Sequence, residues 1–270
     1  MIRRFFFLIA MMLTWPVLAG EKEGGIIGTG VIGQITGLEH FEVSGMRFDF
    51  APDIELKGVK SVDDLDMGMT LALSTGLNGN SWQIETLQHM PLLSGPITGP
   101  GEVMGVAVAG VLPDQGSVQV DGFWSEGGIF ASRVADWTEE TAQVSGMYDG
   151  QGRVGQVVVA GVNLSGIEAG ETLTVTGQFV HGALIVDTVM QGPFMDVSPE
   201  LVLLEGFFLP EVTSTSWSLQ GIAVSDAGDA ANSDELVRRC ALRGRTDFSR
   251  DALSPAEDAM VRSFCVSASN

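Results

Sequence analysis

Gly28-Thr-Gly30-Val-Ile-Gly33 has the spacing of a dinucleotide-binding loop, in which glycines let backbone amides approach a pyrophosphate at a helix N-terminus. That chemistry needs a strand before the loop and a helix after it. Here the run leads into a strand-like alternation, so a structural turn is the better reading. The three histidines, His40, His89 and His181, fall at unrelated positions, and neither a metal site nor an acid–base pair is expected from them. Asp63-Asp64-Leu65-Asp66 is dense in carboxylates but lacks the Gly and Glu of an EF-hand loop, so it reads as a solvated turn. No Gly-x-Ser-x-Gly elbow and no zincin helix occurs. Cys240 and Cys265 fit no zinc spacing and have no histidine nearby. The expectation is a chain with no catalytic, cofactor-binding or metal-ligating residues and no cofactor.

The elements that carry these residues begin with a leader. Arg3 and Arg4 precede an apolar run from Phe5 to Leu13, and Val17-Leu18-Ala19 suits signal peptidase, so residues 1–19 read as a signal peptide. No later run approaches the ~18 apolar residues of a membrane span. The mature chain is therefore expected to be periplasmic or secreted, with Cys240 and Cys265 joined in a disulfide. The net charge is −20, with 34 acidic against 14 basic side chains, and losing Arg3 and Arg4 makes it more acidic still. Such a surface repels nucleic acid and anionic lipid. A hydrophobic fraction of 45% excludes an acidic disordered polymer.

Between about Gly30 and Ser225, Val and Ile alternate with small or polar residues, and Gly punctuates the pattern. One block recurs: Val118, Val120, Gly122 and Trp124, then Ile129, Ala131 and Val134. Leu173, Val175, Gly177, Phe179, Leu184, Val186 and Val189 repeat it, and Leu71, Leu73, Leu77, Trp82, Ile84 and Leu87 occupy the same positions earlier. Each block reads as a β-hairpin turning at Gly79-Asn80, Glu126-Gly127 or His181-Gly182. A second block precedes each hairpin: Ile35-Thr-Gly37 with Val43-Ser-Gly45, Ile97-Thr-Gly99 with Val108-Ala-Gly110, and Val144-Ser-Gly146 with Val159-Ala-Gly161. Leu204-Glu-Gly206 with Leu219-Gln-Gly221 begins a fourth copy. A solenoid or propeller has a similar period, but small closed or half-closed barrels remove exposed edges and are preferred.

The run Gly30-Val-Ile-Gly33-Gln-Ile-Thr-Gly37, the element Val43-Ser-Gly45-Met-Arg-Phe48 and Leu65-Asp-Met-Gly68-Met69 before the strand Leu71–Leu73 resemble the bacterial family called domain of unknown function 5666. The match covers residues 30–90 well and 93–191 with gaps; the second repeat lacks the Asp-Leu-x-x-Gly-Met element. The resemblance implies tandem small β-barrels in exported proteins. It brings no activity and no catalytic residues.

The expected fold is thus all-β: tandem OB-like barrel repeats at 20–91, 92–139 and 140–192, a partial fourth at 193–225, and a short C-terminal α-helical hairpin within 226–270. In the tail, Asn232 or Ser233 caps a helix through Leu236, Val237, Cys240 and Ala241. Ser254-Pro-Ala-Glu257 starts a second helix, with Met260, Val261, Phe264 and Cys265 on one face. A Cys240–Cys265 bridge would contribute about 3–4 kcal/mol in the chain-entropy model. Arg238, Arg239, Arg243 and Arg245 either complement a helix dipole or dock on the acidic repeats.

Function is expected to be non-catalytic: a binding or assembly module of the cell envelope, with a protein or glycan partner. The alternative is carbohydrate or small-ligand binding on an OB-like face. Phe123 and Phe130 face each other across the second hairpin and point away from Trp124, Ile129 and Val120. They either pack between repeats or form a partner patch.

Overall fold

The computed structural model describes residues 29–78, 81–125, 127–194, 199, 201–210, 217–219, 222–224 and 237–243. Among them the chain is all-β, in two ten-stranded sheets. The expected signal peptide, Cys265, and the second expected helix lie outside the described residues.

The first run holds β1 (Thr29–Gly37), β2 (Glu42–Val43), β3 (Met46–Arg47), β4 (Asp49–Lys57), β5 (Thr70–Asn78) and β6 (Ser81–His89). Here β1 pairs antiparallel with β2 and β5, β5 with β6, and β2 with β3, while β4 runs parallel to β6. The second run repeats that order with β7 (Leu93–Gly99), β8 (Glu102–Val103), β9 (Val106–Ala109), β10 (Ser117–Ser125) and β11 (Gly128–Asp136). Its pairings lead from β7 through β10, β11, β9 and β8 back to β7. The third run has β12 (Ala142–Met147), β13 (Arg153–Val154), β14 (Val157–Ala160), β15 (Thr172–Val180) and β16 (Ala183–Gln191) in the same relations, with Tyr148 bridging Val154.

The hairpins form in the register that the sequence blocks specify. Leu77 pairs with Trp82, Trp124 with Ile129, and Phe179 with Leu184. Each hairpin breaks its register at the same place: between Ser74 and Thr75, Asp121 and Gly122, and Thr176 and Gly177. A bulge there bends each hairpin around its own core. The buried columns Leu71-Leu73, Val118-Val120 and Leu173-Val175 supply that core, as alternation requires. The long strand β4, at the end of its sheet's order, carries Asp49, Pro52, Asp53, Glu55 and Lys57. Charges and a proline blunt an edge against pairing with other chains.

Beyond the third run lie β17 (Leu201–Pro210), β18 (Trp217–Leu219), β19 (Ile222–Val224) and β20 (Val237–Arg243). β17 pairs antiparallel with β18, β18 with β19, and β17 antiparallel with β20. These are four of the five strand positions of the second and third runs, in the same order. The expected helix through Leu236, Val237, Cys240 and Ala241 is therefore corrected: residues 237–243 form a strand whose Cys240 sits opposite Leu204. The physical reason is that β17 offers a free edge at the place where β1, β7 and β12 each take a hairpin strand. Pairing that edge outweighs a weak helical pattern.

The second and third runs share one sheet, because β7 pairs with β12 at Leu93–Val144 and Ser94–Gln143. Their buried residues form one continuous cluster. The first run shares its sheet with the fourth through the parallel pair β1–β17, and Leu203 of β17 closes the core around Val31, Leu71 and Leu73.

Candidate functional site

Three features stand out where the runs meet. The first is a buried polar cluster. In each hairpin the residue just before the bulge faces a residue of the next strand: Ser74 faces Thr86, Asp121 faces Arg133, and Thr176 faces Thr188. In the third run these are two hydroxyls 2.6 Å apart. In the second they are a carboxylate and a guanidinium, and the carboxylate is fully buried. Asp121 Oδ1 accepts from the backbone N–H of Thr70 at 2.9 Å and lies 2.9 Å from His89 Nε2, both in the first run. Arg133 Nη1 donates to Asp121 Oδ2 at 3.3 Å, and its Nε reaches back to Asp66 at 3.2 Å. Ser132 donates to the Gly68 carbonyl at 2.6 Å.

A buried carboxylate is tolerated only when its lone pairs are occupied and its charge is compensated, and this one has both. Asp66 belongs to the stretch expected as a solvated turn, and His89 stands at a position unrelated to those of the other histidines. Asp66 is exposed but ion-paired, and His89 is a buried partner of Asp121. The signal available in the sequence was Asp121 and Arg133 standing together where the sister repeats carry hydroxyl residues. His40 and His181 are exposed and remote from this cluster. Asp63 and Asp64 sit in a short 3-10 turn capped by Ser61, with Asp64 completing a capping box. Gly30 and Gly33 lie within strand β1, so the dinucleotide-like spacing belongs to a strand. Among the described residues no group of three or more His, Cys, Asp or Glu side chains is placed to hold a metal.

The second feature is Trp124. Its indole N–H donates to the Ser145 carbonyl of β12 at 2.9 Å, and its ring lies against Gly146 and Gly155. Gly155 stands in the left-handed region (φ 57°), and a Cβ there would overlap the Trp124 ring. The equivalent turn positions carry Ser44 and Met104, also at positive φ. Only the third run leaves that position without a side chain, which lets the aromatic ring of the second run enter.

The third feature is a half-open cavity of about 80 Å³ between the runs. Ile32, Met90, Leu92, Phe123, Met147 and Leu204 supply most of its apolar wall, and Thr70 and Gly122 lie beside the Asp121 cluster. Phe123 and Phe130 pair across the hairpin as expected. They divide between the two environments offered by the sequence: Phe123 is half-buried and lines the cavity, whereas Phe130 is 44% exposed. Val111 is 91% exposed, close to Ala109, the strand partner of Phe130. Val162 and Ile185 repeat that arrangement in the third run, beside Ala160. In the first run Ala51 and Gln83 hold the corresponding positions.

Cys240 lies on β20, and its expected partner Cys265 is outside the described residues. No helix among the described residues is long and apolar enough to cross a membrane. No family model, no curated protein and no solved structure matches this chain.

Proposed function

We propose that this chain is an exported, non-catalytic binding module of the cell envelope, built from tandem OB-like barrels that present apolar faces to a protein partner. The observation that carries the reading is the contrast between its two kinds of unusual side chain. The titratable groups that could do chemistry, His89, Asp121 and Arg133, are occupied with one another across a buried contact. Apolar side chains are instead exposed at matching places of the second and third runs, Phe130 with Val111 and Ile185 with Val162. Recurrence of exposed apolar side chains at the same two positions of successive runs suits contact with another molecule. The pairing order of the second run supports the OB-like assignment: five strands, with the third parallel to the fifth and the first hydrogen-bonded to the second and fourth. The resemblance to domain of unknown function 5666 accords with it. Export also accounts for the two cysteines, which we infer form the Cys240–Cys265 disulfide.

The test is cross-linking capture from periplasmic extract with the wild type and with Phe130→Ser/Ile185→Ser. Both side chains are more than a third exposed, so the double variant should keep its stability within about 1 kcal/mol. Loss of a specific captured protein in the variant supports the reading; unchanged capture removes the apolar face from it. A second reading, glycan or small-ligand binding, rests on the half-open cavity walled by Phe123 and Trp124. Saturable glycan binding lost on Phe123→Ala, with capture unaffected, would favour it.

A further inference from the structure

We propose that the Asp121 cluster is a latch that holds the first run of strands on the second, and that releasing it widens the cavity that these two runs share with the third run and β17. The latch takes Thr70 N–H, His89 Nε2, the Asp66 carboxylate and the Gly68 carbonyl from the first run. It takes Asp121, Ser132 and Arg133 from the second. The sister hairpins show that a hairpin of this kind does not need a charged pair at the bulge, since Ser74–Thr86 and Thr176–Thr188 fill the same place with hydroxyls. The Asp–Arg pair is therefore accounted for by what it holds in the neighbouring run.

The side chains facing Asp121 are the Arg133 guanidinium from its own hairpin and the His89 imidazole from the first run, with the Asp66 carboxylate on the far side of Arg133. Without the first run, Asp121 keeps the guanidinium and loses both the imidazole and the Thr70 amide. Its burial is tolerable only while those donors are present, so the contact is held or released as a unit. Gly122 N–H donates to Thr70 Oγ1 at 3.1 Å, and both residues line the cavity next to Phe123. Parting them uncovers Ile32, Met90, Leu92 and Phe123 together.

The experiment uses the full chain with Asp121→Ser/Arg133→Thr, which copies the Ser74–Thr86 pair of the first run. The variant should keep its far-ultraviolet circular dichroism. Chymotryptic cleavage after Leu92, at the end of the connector, should accelerate roughly tenfold, since proteolysis follows the population of open molecules. Binding of the dye ANS, which reports exposed apolar surface, should rise with it. A folded variant with wild-type cleavage and dye binding would overturn the latch. Global unfolding of the variant would overturn it too, because Asp121 would then belong to the core of its own hairpin. His89→Leu leaves the second run's sequence intact and should reproduce the faster cleavage; a wild-type rate in that variant contradicts the proposal.

Discussion

The junction between the first and second runs and the junction between the second and third use different physics. The second and third runs meet along one sheet with a common core, and Trp124 crosses between them to lie on Gly146 and Gly155. The first and second meet across a buried carboxylate that collects donors from both sides. Apolar burial is non-directional and grades smoothly with area, whereas a desolvated charge is satisfied in one arrangement and costly in others. The apolar junction is therefore the stronger weld, and the polar junction the more exacting fit.

The largest effect expected is at the apolar junction. Trp124→Ala removes a buried ring and its hydrogen bond to Ser145 and should cost about 3–5 kcal/mol in urea unfolding. Closely related is Gly155→Val, which puts a side chain where the ring lies and a β-branched residue at positive φ. It should destabilise the chain and shift the Trp124 fluorescence. A cost under about 1 kcal/mol for Trp124→Ala would erase the difference between the junctions.

Asp121→Ala comes next. It leaves Thr70 N–H and His89 without their acceptor, while Arg133, partly exposed, recovers water. The expected loss is about 3 kcal/mol. The loss should be smaller in His89→Leu/Asp121→Ala than the sum of the two single losses, because they share one interaction. Strict additivity in that double-mutant cycle would mean the pair is not coupled.

Gly68→Ala probes the same junction from the backbone. Gly68 has φ 81°, and an added Cβ would stand 2.8 Å from the Ser132 carbonyl oxygen. A cost of about 1–3 kcal/mol is expected, confined to the first junction. The smallest effect lies away from both junctions. Arg47 pairs with Glu42 on the surface with 71% of its side chain exposed, so Arg47→Ala should change stability by less than about 0.5 kcal/mol.

Much of the architecture was legible in the sequence because strand alternation and two-residue turns act locally. Leu71-Leu73, Val118-Val120 and Leu173-Val175 declare a buried face, and His181-Gly182, both at positive φ, make the two-residue turn that sets the third hairpin's register. The pairings of Trp124 with Ile129 and of Phe123 with Phe130 follow from that alone. Two things were not legible. Residues 237–243, Val-Arg-Arg-Cys-Ala-Leu-Arg, lack a clear period, and their strand state comes from the edge of β17, a partner far away in sequence. The union of His89 with Asp121 depends on how the runs pack, and no local pattern in either segment encodes it. The Phe130 face lay between the two, since alternation gave its direction but not its cover.

Native-state hydrogen exchange of the wild-type chain, followed with increasing urea, tests the contrast between junctions most directly. The account predicts that β5 and β6 exchange through an opening whose free energy lies below that of global unfolding, while β12 and β15 exchange only with the global transition. Identical free energies for all four strands, or an order in which β12 and β15 open first, would contradict it.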